Sequence, residues 1–129
     1  MKQFSRTISV LPVQSIETAC RWYADVLGLE VVYRHEGKQE GEETNYAVMT
    51  RDSVQVHLIL DEPPPYGDTW TQAGTGYLYL RVYDIRAMYA DVQARGIGFE
   101  HALETAIWGA EGFEIRDPGG NLVRIEGEM

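Results

Sequence analysis

The chain is short of three things, and each shortage closes off a class of protein. It has one cysteine, Cys20, so it has no internal disulfide. It has no long apolar run, so no segment of the sequence is expected to span a membrane. It is poor in basic residues: 11 Lys and Arg stand against 20 Asp and Glu, for a net charge of −9 and a pI near 4.7. Phosphate binding needs a basic surface, so nucleic acid is not an expected partner. The N-terminus also lacks the apolar stretch of a signal peptide, and a cytoplasmic protein is the default expectation.

What is present fits one folded domain. The chain has 129 residues, 44% of them hydrophobic, with charge spread throughout. That composition buries a core and does not read as disordered. The acidic balance serves solubility, and it would also concentrate a cationic small molecule in a cleft.

The chain repeats itself. Val13-Gln14-Ser15-Ile16 opens a helical pattern, and Val82-Tyr83-Asp84-Ile85 opens another. Inside them Tyr23-Ala24-Asp25-Val26 recurs word for word as Tyr89-Ala90-Asp91-Val92. Apolar residues follow one face in both: Ile16, Ala19, Cys20, Tyr23, Val26 and Leu27 in the first, Ile85, Met88, Tyr89 and Val92 in the second. Cys20 sits on that stripe and reads as packing, not as a nucleophile. Trp22 lies off the stripe, at its boundary. Ser15 and Asp84 stand where N-caps belong, and Gly28 and Gly96 where the helices should end.

Strand patterns flank each helix. Before the first is 7–13, and after it come 30–35, 45–49 and 53–60. Before the second is 76–83, and after it come 99–102, 112–117 and 121–126. Val54, Val56, Leu58 and Leu60 alternate with Gln55, His57 and Ile59, the period of a half-buried strand. Asp117-Pro118-Gly119-Gly120-Asn121 is a turn by its chemistry. Residues 36–44 read as an exposed hairpin connection. Pro63-Pro64-Pro65 cannot continue a ladder. The expected organisation is therefore one compact α+β domain of two βαβββ modules, 1–61 and 76–129. A linker at 62–75 joins them, and they pair into one continuous curved mixed sheet.

A duplicated βαβββ unit with Asp117-Pro118-Gly119-Gly120-Asn121 before its last strand resembles the vicinal oxygen chelate superfamily. That group holds glyoxalase I, extradiol dioxygenases, fosfomycin-resistance enzymes and bleomycin-resistance proteins. Trp108-Gly109 followed by Phe113-Glu114-Ile115-Arg116 looks most like the bleomycin-resistance segment, and Pro12 is similar to a proline those proteins carry near their N-terminal strand exchange. The resemblance implies a homodimer with binding crevices between the chains. In the enzymes of the group it also implies a divalent metal, held from the first and last strand of each module. Carried onto this sequence, those positions are Ile8, Tyr77, His57 and Arg124. An alkyl chain and a guanidinium supply no lone pair, and a tyrosine is a weak ligand. No metal and no cofactor are therefore expected. His35 and His101 read as surface histidines.

The remaining concave surface should carry Ile8, Gln55, His57, Tyr77, Tyr79, Leu122, Arg124 and Glu126, walled by Tyr46 and Trp108. Tyr46, His57, Tyr77, Tyr79, Trp108 and Arg124 are the expected ligand-binding residues. Aromatic walls with few polar handles suit a small molecule. Arg124 needs a partner, either Glu126 or a ligand carboxylate. Trp70 is a candidate lid or dimer anchor. The expectation is metal-independent binding and sequestration of a small aromatic or glycopeptide-type antibiotic or a related metabolite. The rivals are an isomerase or lyase with His57 as general base, and a structural dimer with a vestigial cavity.

Overall fold

A computed structural model describes residues 1–35, 44–62 and 72–129. Trp70, Pro63-Pro64-Pro65 and most of the expected 36–44 connection lie outside the described residues.

The sequence punctuation sets the elements. β1 (Ser9–Val13) runs into α1 (Ile16–Leu27), then β2 (Glu30–His35), β3 (Tyr46–Arg51) and β4 (Val54–Leu60). The second module repeats this as β5 (Tyr77–Val82), α2 (Ile85–Ala94), β6 (His101–Thr105), β7 (Glu111–Arg116) and β8 (Leu122–Gly127). Ser15 Oγ accepts the Thr18 N–H at 3.2 Å, and Asp84 Oδ1 accepts the Ala87 N–H at 3.0 Å. Each cap satisfies a donor that the first helical turn leaves open. Gly28 closes α1 in the left-handed region, at φ 72°, where a Cβ would be strained. α2 ends one residue earlier relative to its glycine, with Arg95 as the cap and Gly96 beyond it.

Each module forms a four-stranded mixed sheet, ordered β1-β4-β3-β2 and β5-β8-β7-β6. The registers are equivalent: Val10 pairs with His57 across the parallel β1–β4 ladder, and Tyr79 with Arg124 across β5–β8. One face of each sheet packs on the helices. Leu11, Val13, Met49, Val56 and Leu58 of the first sheet and Leu78, Phe113, Ile115, Val123 and Ile125 of the second join Ile16, Tyr23 and Val92 in one buried cluster. Each such side chain contributes roughly 1.5–3 kcal/mol by leaving water.

The single continuous sheet expected from the sequence is corrected to two sheets. β1 and β5 lie side by side, but no ladder joins them. The reason is local. Pro12 has no N–H to give toward β5. Its carbonyl instead accepts the Asn121 side-chain amide at 2.6 Å. Asn121 Oδ1 accepts the N–H groups of Gly74 and Gly76 at 3.1 and 2.8 Å. One side chain thus occupies the seam where ladder bonds would run. A Cβ on Gly76 would sit 2.8 Å from that same oxygen, so the approach requires glycine.

Most strand limits shift by one to three residues, and β6 moves most. β6 begins at His101, not Phe99, because Phe99 turns inward to pack on Tyr89 and Phe113 at ring-centroid distances of 4.8 and 5.6 Å. Thr44, read as part of an exposed loop, is buried.

Candidate functional site

The alternation that buries one face of each sheet presents the other, away from the helices. On the first sheet this open face carries Tyr46, Gln55 and His57, with Ile8 and Val10 exposed beside them. Tyr46 Oη is hydrogen-bonded to His57 Nδ1, with the rings edge-on. His57 Nε2 lies 2.9 Å from Gln55 Nε2, and Arg6 Nη1 donates to Gln55 Oε1 at 2.9 Å.

On the second sheet the open face carries Tyr77, Tyr79, Arg81, Glu114, Arg124 and Glu126. The Tyr77 and Tyr79 rings stack with centroids 6.4 Å apart, and both remain about half exposed. Between them and the strands lies an ion-pair network. Arg124 Nε donates to Glu126 Oε2 at 2.9 Å, and its Nη1 donates to Glu114 Oε1 at 3.1 Å. Arg81 Nη2 stands 3.0 Å from Glu126 Oε1, and Trp108 Nε1 donates to that same oxygen at 2.7 Å. The Trp108 ring also lies under the Arg124 guanidinium, 5.8 Å from its carbon, a cation–π distance. Gly109, at φ 97°, makes the turn that brings this loop tryptophan over the sheet. Gly112 supplies the space: a Cβ there would stand 3.0 Å from both Arg124 Nη2 and the Ile125 carbonyl.

The electrostatics follow from this packing. Glu126 is fully buried. Burial alone would raise its carboxyl pKa, but hydrogen bonds from Tyr79, Trp108 and Arg124 outweigh it and hold the group below the ordinary value. Burial pulls Arg124 down, and its bonds to Glu126 and Glu114 turn the balance upward. Tyr77 is raised, first by burial and then by Glu114, so its phenol stays protonated. Two arginines face two glutamates, and the network is neutral as a whole.

The expected site residues therefore fall into two groups. Tyr46 and His57 meet on the first sheet, while Tyr77, Tyr79, Trp108 and Arg124 meet on the second. Glu126, weighed as a partner for Arg124, is that partner. Sequence reasoning missed Arg81, Glu114 and Arg6. Glu114 stands directly opposite Arg124, and Arg81 opposite Glu126, which are charge pairs of the kind sheets favour. The alternation of Gly112, Glu114 and Arg116 with Phe113 and Ile115 puts Glu114 on the open face, but its pairing with Arg124 depends on the strand register. His35 and His101 are exposed.

The positions that the resemblance offers to a metal do not fit one. Ile8 is an alkyl chain, Arg124 a paired cation, and Tyr77 a phenol held protonated. Both nitrogens of His57 are already engaged. The nearby carboxylates of Glu114 and Glu126 are committed to arginines. Among the described residues, no group of three or more His, Cys, Asp or Glu side chains is placed to hold an ion. A separate cleft of about 500 Å³ lies on the helix side, among Trp22, Val26, Ile97 and Pro118. Thr18, Arg21, Asp25 and Arg95 also line it.

The model of the Glyoxalase/Bleomycin resistance protein/Dioxygenase superfamily matches residues 6–125. The chain belongs to this superfamily. Among curated proteins it is similar to biphenyl-2,3-diol 1,2-dioxygenase 3 of Rhodococcus globerulus, 25% identical over 127 residues. That match takes in 91% of this chain and spans only 60% of the dioxygenase. Among solved structures, TioX from Micromonospora sp. ML1 superimposes with a TM-score of 0.79 at 17% identity, over 98% of this chain and all of TioX. Lactoylglutathione lyase from Agrobacterium tumefaciens gives 0.76 at 21% identity, over 98% of this chain and 95% of the lyase. These likenesses show the shared fold, on which the superfamily's members carry different chemistry.

Proposed function

We propose that this protein is a metal-independent binding protein. It takes up a small aromatic or glycopeptide-type antibiotic, or a related metabolite, and sequesters it in the cytoplasm. The observation that carries this reading is Arg124. At the position where the resemblance puts a metal ligand, the chain holds a guanidinium locked to Glu126 and Glu114. A fixed cation there repels a divalent ion, and its partners are not free to ligate.

What remains is a surface suited to planar molecules. Tyr77, Tyr79 and Trp108 offer aromatic area at little entropic cost. Because Arg124 is neutralised internally, the ligand needs no carboxylate. The acidic chain then favours neutral or cationic compounds. Ile8 and Val10 on the first sheet and Tyr77, Tyr79 and Trp108 on the second are exposed apolar side chains, and such surface is what a partner covers. We assign it to a homodimer in which the second copy walls each groove.

The test is a thermal-shift and calorimetric screen of bleomycin and flat aromatic metabolites, run in EDTA. The expected result is saturable stoichiometric binding, unaffected by chelation, with the compound recovered intact. A native-state ligand at a hundredfold excess over Kd adds about 2.7 kcal/mol. Turnover of a compound, lost in His57→Ala, would instead establish the isomerase or lyase reading.

A further inference from the structure

We propose that Arg6, Gln55, His57 and Tyr46 form a directed hydrogen-bond relay that makes the Tyr46 hydroxyl a donor toward the groove. The relay selects an aromatic ligand that carries an acceptor oxygen. This inference rests on the binding reading above and specifies the ligand at that site.

The direction follows from which groups have lone pairs. Arg6 is a pure donor. Its Nη1 stands 2.9 Å from Gln55 Oε1, so the amide oxygen faces Arg6 and the amide NH₂ faces the histidine. That NH₂ lies 2.9 Å from His57 Nε2. An NH₂ group gives hydrogens and cannot accept one, so Nε2 must present its lone pair. A neutral imidazole carries one proton. It therefore resides on Nδ1, which is the nitrogen bonded to Tyr46 Oη. The tyrosine oxygen accepts that proton's hydrogen bond, and its own hydrogen is left to point elsewhere. Tyr46 and His57 share the sheet face that turns away from the helices, so the direction left to the hydroxyl is that open face, where the proposed ligand sits.

Two consequences follow. First, His57 shows the groove no lone pair: one is capped by Gln55, and the other nitrogen bears hydrogen. It is a positioning residue in this arrangement, which argues against its use as a general base. Second, a ligand oxygen reaching Tyr46 meets a preset donor. A ligand offering only an N–H or O–H meets no acceptor there except the tyrosine's second lone pair.

The relay is tested without any ligand by long-range ¹H–¹⁵N spectra of the histidine rings at pH 8. The His57 signals are assigned by their loss in His57→Asn. The expected pattern has Nδ1 protonated and Nε2 as the bare, pyridine-like nitrogen. In Gln55→Glu at pH 9 a carboxylate replaces the NH₂, and the ring proton should move to Nε2. Protonation on Nε2 in the wild type, or a proton that stays on Nδ1 in Gln55→Glu, overturns the relay.

The selectivity is tested with 2-acetylnaphthalene and 2-ethylnaphthalene, which share a shape but differ in one carbonyl. The acetyl compound should bind about fivefold tighter, the worth of one neutral hydrogen bond. In Tyr46→Phe the two should bind alike. Equal binding to the wild type overturns the selectivity and leaves the aromatic-binding reading standing. Binding of neither compound overturns both.

Discussion

Among single residues, one carboxylate with several donors holds the second sheet's open face together. Glu126 is buried, and its two oxygens receive Arg124, Arg81 and Trp108. Removing one member of a buried ion pair strands the other, so Glu126→Gln should cost about 3 kcal/mol at pH 7 by urea denaturation. The pH dependence has a definite sign. The folded carboxyl titrates below its unfolded value of about 4.3. Its contribution is complete above that value and is lost as the pH falls through the lower folded value. The wild type should therefore lose stability more steeply than Glu126→Gln below about pH 4. Parallel acid profiles for the two proteins would contradict this. The Arg124–Glu126 pair was legible in the sequence, because an arginine and a glutamate two apart on one strand share a face. Arg81 and Glu114 were not, because cross-strand neighbours depend on a register that one sequence does not print.

At the scale of elements, the turn between β7 and β8 does more than reverse the chain. Asp117 accepts the Gly119 and Asn121 N–H groups, both at 2.9 Å, and the Tyr23 hydroxyl of α1 at 2.7 Å. Burial and the neighbouring Asp117 raise the Tyr23 pKa, so the phenol remains a donor. Asn121 uses its amide on Pro12, Gly74, Gly76 and Asp117. The turn thus fastens the second module to the first. Asn121→Ala should cost about 2–4 kcal/mol by thermal unfolding, since the buried Pro12 carbonyl and the Gly74 and Gly76 N–H groups lose their partner. Tyr23→Phe should cost about 2 kcal/mol, one hydrogen bond to a charged acceptor. A loss of under half a kcal/mol in both would show that the seam is held by apolar packing alone. The elements themselves were readable, since caps, glycines and both periodicities agreed. The seam was not. Asp-Pro-Gly-Gly-Asn reads as a local turn, and nothing in its spacing says that the last residue reaches a strand more than a hundred residues earlier.

At the scale of the molecule, the duplication puts equivalent positions to unequal use. The register matches His57 to Arg124 and Val10 to Tyr79. The first sheet keeps a hydrogen-bonded chain of Arg6, Gln55, His57 and Tyr46 and the second an ion-pair network, so the two open faces differ chemically. Both leave aromatic and aliphatic surface exposed. Light scattering behind a sizing column should give twice the 14.6 kDa chain mass. A monomer at micromolar concentration would contradict the proposed homodimer. The pattern that led from sequence to fold was strong because it was repeated. The functional reading rested on residues that break the expected ligand pattern, and their surroundings needed three dimensions.

The most direct test of the central claim is elemental analysis of the protein, purified without chelator from medium supplemented with zinc, nickel, manganese and iron. The expected result is no stoichiometric metal, and ligand binding unchanged after EDTA dialysis. One bound divalent ion per chain, lost together with ligand binding on dialysis, would contradict it.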